Sequence, residues 1–320
     1  MSKALALTQR QVTALCEGAK KAGYAPIVQI GDVLVRLVPG DPAIAVLGDQ
    51  ASEESLQRLR AQLGLDQSIA VQYLQFLGNA VTGDFGRSLT SGRTVLEEVA
   101  AVLPYTIELT TAALLIGGVF GIPLGTVAAL YRNRWPDYVS RIISLAGLSF
   151  PAFVSGILML LVFAIHLRWF PVIGTGGTGM GDHLRNLFLP AVTLGLIMVG
   201  YITRVTRSSM LNVLGEDYVR TARAKGVRPR QLILRHVLRN ALIPVVTVVG
   251  LYFGTLIGNS VLTEIVFSRP GLGKLILGAL NSRDYTLLQG LMVVFAAFVI
   301  VVNTLTDIAY GLVDPRVKYS

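Results

Sequence analysis

The chain is short of charge, cysteine, histidine and tryptophan. Charged residues make up only 15% of its 320 positions, against roughly 25% in a soluble globular domain. That shortfall excludes a water-exposed surface over most of the protein. The single cysteine, Cys16, excludes an intramolecular disulfide. The histidines (His166, His183 and His236) are scattered, with no His-Glu-x-x-His pair to hold zinc. A Gly-x-Ser-x-Gly nucleophile motif is missing, so neither a catalytic nor a metal site is read from the sequence. The glycine-rich phosphate loop of ATPases, ending in Gly-Lys-Ser/Thr, is also missing. The first residues have no apolar core of about 7–15 residues followed by a cleavage site, so no cleaved signal peptide is expected.

What is present is apolar. Hydrophobic residues account for 52% of the chain and the mean hydropathy is +0.60. A helix needs about 20 mainly apolar residues to cross a bilayer, and five stretches qualify, at about 105–130, 142–165, 187–203, 241–263 and 287–312. Gly117, Gly118, Gly121, Pro123, Gly147, Pro151 and Gly156 fall inside them. Small residues let helices approach closely in lipid, and prolines are tolerated where neighbours satisfy the freed backbone. The expected fold is therefore an all-α integral membrane protein, a polytopic bundle of about six transmembrane helices. The first of the six is atypical: 22–38 is interrupted by Gln29, Asp32 and Arg36.

Charge orients the bundle. The net charge is +9, and in a membrane protein it is read by loop. The stretch 39–104 holds eight acids and four arginines, whereas 204–240 holds nine Lys/Arg against two acids. Positive-inside bias places 204–240 in the cytoplasm, together with 131–141 and both termini. The expected organisation is an N-terminal region 1–38 and an extracytoplasmic insertion 39–104. A transmembrane core 105–312, which contains the cytoplasmic loop 204–240, and a tail 313–320 follow. The insertion reads as two short amphipathic helices, with Ser52 as an N-cap before Leu56, Leu59 and Leu63, then Val71, Leu74 and Leu77 on one stripe.

The basic stretch "EDYVRTARAKGVRPRQLILRHVLRNALIP" (216–244) carries seven Lys/Arg and one His. Glu216 and Asp217 suit a helix N-terminus, Gly226 a C-cap and Pro229 the start of a second helix over about 230–240. Leu232, Ile233 and Val237 form an apolar stripe there, away from Arg230, Arg235 and Arg239. Tethering at both ends to the bilayer argues against a DNA-binding helix-turn-helix, so no nucleic-acid partner is expected. A lipid-facing basic loop and a docking helix for a cytoplasmic protein both remain. Polar residues in spans are functional candidates by default. Asn303 and Asp307 share a face and read as a structural pair, Glu108 lies near the outer end of its span, and Glu264 could open on a pathway or fix a loop.

"DYVRTARAKGV…LRHVLRNALIP" resembles the ATPase-facing cytoplasmic loop of ABC-transporter permeases of the dipeptide/oligopeptide/nickel import family. "LVPGDPA" (37–43), "GDFGRSL" (83–89), "LPYTIELT" (103–110), "LSFPAFVSGILML" (148–160), "VFSRPGLGKL" (266–275), "SRDYTLLQG" (282–290) and "NTLTDIAYGLVDPRV" (303–317) are similar to family segments in the same order. Arg220-Thr221-Ala222 stands where the general consensus has Glu-Ala-Ala. The N-terminus departs from the family: a continuous apolar helix is replaced by "TALCEGAKKAGYAPIVQIGDVLVRLV". That change means either a polar first span packed inside the bundle or a diverged or frame-shifted segment that impairs function.

The resemblance implies a type I importer permease in the bacterial inner membrane. It would be a transport subunit, not an enzyme, and would need no cofactor of its own. Its implied partners are a homologous second permease, two ATP-binding cassette subunits, an extracytoplasmic solute-binding protein, membrane lipid and a peptide-like solute. The implied ATPase-coupling residues are Asp217, Tyr218, Arg220, Thr221, Ala222, Arg223, Ala224, Lys225 and Gly226, with Ala222 and Ala224 small enough for close approach. No substrate-binding residue is identified. An intramembrane enzyme or a channel is the alternative class.

Overall fold

A computed structural model describes residues 52–62, 66–172 and 179–313. The expected first span at 22–38 and the tail beyond residue 313 lie outside them. The described residues are helical, and an isolated bridge between Arg87 and Thr94 is the extended pairing among them. In chain order the helices are α1 (Glu53–Gln62), α2 (Ile69–Val81), α3 (Val95–Leu130), α4 (Trp135–Ser149), α5 (Ala152–His166), α6 (Met180–Leu214), α7 (Asp217–Ala224), α8 (Pro229–Val266), α9 (Leu272–Asn281) and α10 (Tyr285–Val313). Among the described residues α3, α6, α8 and α10 are long and apolar enough to cross a membrane, and α4 with α5 makes a fifth, bent span.

Each span is longer or more broken than hydropathy indicated. Helix α3 begins at Val95 because Thr94 and Glu97 cap each other. The Thr94 N–H donates to Glu97 Oε2 at 3.0 Å and the Glu97 N–H to Thr94 Oγ1 at 3.3 Å, a capping box. Its 36 residues span ~54 Å at about 1.5 Å per residue, well beyond the ~30 Å hydrocarbon layer. The stretch 142–165, expected as one span, instead bends by 103° between α4 and α5. Pro151 has no N–H and forces the residue before it out of the helical region; Phe150 accordingly sits at φ −96°, ψ 130°. The second helix of the basic loop, expected to end near residue 240, runs without a break into the next span as α8, through a π-helical stretch at Leu232–Leu238.

The chain forms two compact units. Among the described residues the first contains those up to 100 together with 276–297. There Ser52 caps α1, its Oγ accepting from the Ser55 N–H at 3.3 Å. Leu56 is buried, while Val71 and Leu74 of α2 are exposed. The start of α10 packs on the start of α3, where Gly290 leaves room for Val95. Asp284 caps α10 through the Leu287 N–H at 3.0 Å and accepts from the Ser88 and Thr90 hydroxyls at 2.6 and 2.8 Å. The "GDFGRSL" loop is thereby pinned to the helix start.

Among the described residues the second unit contains 101–275 and 298–313 and is built around α6. Gly117, Gly121 and Gly125, one turn apart on α3, lie against Met198, Ile202 and Thr206 of α6. On another side of α6, Gly200 lies on the Ser144 carbonyl of α4 and Gly147 of α4 on the Leu196 carbonyl. The Ser144 hydroxyl donates to the Gly200 carbonyl at 2.7 Å. Leu109, Leu194, Met198, Ile202 and Leu256 complete the core. Gly118, next to this seam, faces open space. Gly121→Val should therefore destabilise the detergent-solubilised protein by about 1–3 kcal/mol through overpacking, while Gly118→Val should leave its Tm within error. Thermal unfolding of the two variants side by side checks the seam.

Candidate functional site

The basic loop folds as the sequence dictates. Glu216 takes extended backbone at the N-cap, and α7 follows for eight residues. It ends in a Schellman motif: the Gly226 N–H donates to the Arg223 carbonyl at 3.0 Å and the Val227 N–H to the Ala222 carbonyl at 3.2 Å. Gly226 sits at φ +79°, and a Cβ there would meet nothing within 4 Å. Glycine is therefore needed at 226 for its backbone conformation, not for space.

Val219 is the anchor of α7. It is buried with Met210, Leu232, Val237, Ala241 and Ala129, and Ala222 and Val227 pack against the same cluster. Asp217, Tyr218, Arg220, Thr221, Arg223, Ala224, Lys225 and Gly226 are exposed. Ala222 thus faces its own bundle, so its small size serves internal packing, whereas Ala224 is on the open face. In α8 the expected stripe holds: Leu232 and Val237 are buried, Ile233 is half-buried, and Arg230, Arg235 and Arg239 are exposed. Tyr218 ties the two helices together. Its hydroxyl accepts from Asn240 Nδ2 at 2.8 Å, and Asn240 also donates to the His236 carbonyl at 3.0 Å.

A second polar cluster was invisible to charge counting. The Asp137 carboxylate is fully buried and accepts from Arg207 at 2.7 and 2.9 Å, from Arg141 at 3.0 and 2.6 Å, and from the Asn133 N–H at 2.9 Å. Two paired guanidinium forks satisfy one carboxylate, fastening the start of α4 to α6. Asp137 and Arg141 are four apart, a spacing that the sequence offered. Arg207 is distant in sequence and only the fold brings it in.

Away from that cluster, Glu264 fixes a loop. Its buried carboxyl accepts from the Thr106 hydroxyl at 2.7 Å and the Gly273 N–H at 2.8 Å, and Thr106 accepts from the Leu272 N–H at 3.0 Å. A side chain at Gly271 would collide with that carboxyl. Glu108 bridges His183 and Arg269, and the Arg269 guanidinium lies 5.7 Å from the Tyr105 ring centre. Asn303 rests on Gly254. The side chain of Asp307 lies outside the described residues.

This helical architecture has counterparts among known proteins. Residues 121–319 match the family described as binding-protein-dependent transport system inner membrane component, and residues 26–110 match its N-terminal region. The chain belongs to this family. The glutathione transport system permease protein GsiC of Escherichia coli strain K12 is 41% identical over 301 residues, covering 93% of this chain and 96% of that protein. The GsiC of Shigella dysenteriae serotype 1 matches at the same identity and coverage. The fold agrees with a chain of the MetNI methionine ABC transporter in an inward-facing conformation, at TM-score 0.56 and 19% identity, over 68% of this chain and 97% of that one. It also agrees with a chain of an amino acid ABC transporter with histidines, at TM-score 0.52 and 14% identity, over 69% and 95%.

The permease is therefore a membrane-spanning subunit of an ABC importer, with the type I fold, and not an enzyme. The N-terminal match from residue 26 runs through the segment in which the family's apolar helix is replaced. Asp137→Ala should lower the Tm of the solubilised permease by several degrees, more than Arg141→Ala. Arg207 is the less exposed of the two arginines, at 22% against 42%, and would be left without its carboxylate. Equal Tm values for the two variants would refute this ranking.

Proposed function

We propose that this permease carries a peptide-like solute of the glutathione class inward, and that its α7 is the docking element for the cytoplasmic ATPases. One observation carries the docking assignment: α7 presents a continuous exposed basic face while Val219 and the Schellman stop hold it rigidly to the bundle. A helix used to transmit force must be fixed at its base and free on its outer face. Asp217, Arg220, Arg223 and Lys225 supply rim charges that set orientation and association rate more than affinity, and Ala224 lets the partner's backbone come close. The peptide-like solute is supported by the 41% identity to a glutathione permease.

The assembly proposed is this chain, a homologous second permease, two ATP-binding cassette subunits and an extracytoplasmic solute-binding protein. The basic loop and both termini lie in the cytoplasm in this reading. Because α8 continues from the loop into the membrane, a displacement of α7 reaches the span through the Tyr218–Asn240 contact without crossing a flexible joint.

Substitution of Gly226 separates conformation from bulk. A non-glycine residue in the left-handed region costs about 1–2 kcal/mol, and asparagine tolerates that region best. Gly226→Val should abolish solute uptake while the protein still inserts in the membrane, and Gly226→Asn should retain most of it. Uptake of labelled glutathione into proteoliposomes containing the full importer measures both. Normal transport by Gly226→Val would remove the docking assignment.

A further inference from the structure

Most outward-facing side chains of α6 and α8 within the spans are apolar, but one group is polar. Tyr201 of α6 and Tyr252 of α8 pack with ring centres 4.1 Å apart. Thr255 and Asn259 continue the Tyr252 stripe at helical spacing and are exposed. These four residues, with Leu194, Ile197, Met198 and Leu256, line a small cavity of about 70 Å³. A second cavity, of about 300 Å³, shares Ile197, Tyr201 and Asn259 with it and reaches the Phe150–Pro151 break between α4 and α5. Irregular backbone and polar side chains persist at membrane depth only where protein or a polar pathway covers them. Broken spans are also where transporters hold solutes near the bilayer midplane. The groove therefore has the character of a pathway wall, not a lipid face.

Its charge is specific. Arg204 lies three residues after Tyr201, on the same face of α6, and is exposed. Among the described residues no carboxylate pairs with it, whereas Arg207, three residues further on, is held by both Asp137 oxygens. Two arginines close together on one helix thus have different fates: one is locked into the scaffold, and the other, one turn beyond Tyr201, has no carboxylate partner among the described residues.

We propose that this groove is a solute-contact site on the translocation path, and that Arg204, one turn beyond Tyr201 on the same face of α6, receives the carboxylate of the passing solute. Tyr201, Tyr252 and Asn259 supply hydrogen bonds to its amide groups. The larger cavity is at the small end of ligand sites, roughly 300–1,000 Å³, and suits one or two amino-acid residues at a time. A planar guanidinium matches a carboxylate bidentately. The inference rests on the reading of the solute as peptide-like.

The test uses the complete importer in proteoliposomes, with labelled glutathione and a labelled dipeptide as probes, and measures uptake and ATP hydrolysis together. Failure of the unaltered importer to carry either probe overturns the peptide-like reading itself. If it carries one, Arg204→Gln should cut uptake about tenfold, as expected for loss of a charge-assisted contact, and lower the solute moved per ATP in proportion. Arg204→Lys should keep most uptake, and Tyr252→Phe should fall between. Unchanged uptake in Arg204→Gln, an equal fall in uptake and ATP hydrolysis, or loss of the assembled complex would each overturn the site. The first would show that Arg204 meets no solute, and the other two that it acts through coupling or folding.

Discussion

The second unit depends on how closely α6 lets its neighbours come. Lipid tails are as apolar as leucine, so burial in a bilayer gives little drive for helix association. Packing and interhelical hydrogen bonds must supply it. Gly117, Gly121 and Gly125 bring α3 onto α6, and Gly147, Gly200 and the Ser144 hydroxyl bring in α4. The buried cluster of Leu109, Leu194, Met198 and Ile202 can close only after these backbones have met. Van der Waals attraction between atoms falls off within an ångström, so the seam tolerates little added volume.

Polar fastenings sit at both ends of the unit, where the chain leaves the apolar layer. On the basic side Asp137 gathers Arg141, Arg207 and the Asn133 N–H. On the other side Glu264, Thr106 and the backbone of the Gly271–Gly273 turn form a closed set, and Glu108 joins His183 to Arg269. Each acid here is consumed by structure. Arg204 stands apart because no carboxylate among the described residues pairs with it, which makes it and the neighbouring Tyr201, Tyr252 and Asn259 candidates for contact with something that passes through.

The basic loop illustrates what can be read from residues alone. Glu216, Gly226 and Pro229 act through their own backbones, so the start of α7, its stop and the start of α8 were legible. The direction of Ala222 was not. Whether a small residue meets a partner or its own core depends on where the neighbouring helices lie, and Val219 turns that face inward. Hydropathy likewise found the apolar centres of the spans but missed their ends. The ends are set by capping, as at Thr94 and Glu97, or by continuation, as where the π-helical stretch carries α8 past residue 240.

The sequence by itself determined that the protein is a helical membrane bundle and which loop is basic, because these follow from composition and from residues close along the chain. Its ordered motifs also carried the family resemblance. Only the tertiary structure decided which charges are scaffold and which are free. Asp137 and Arg207 are separated by 70 positions, and no spacing rule connects them. The same holds for Thr106 with Glu264 and for Tyr201 with Tyr252. Such pairs exist because close helix packing selects them, and that packing is fixed by the whole set of side chains at once.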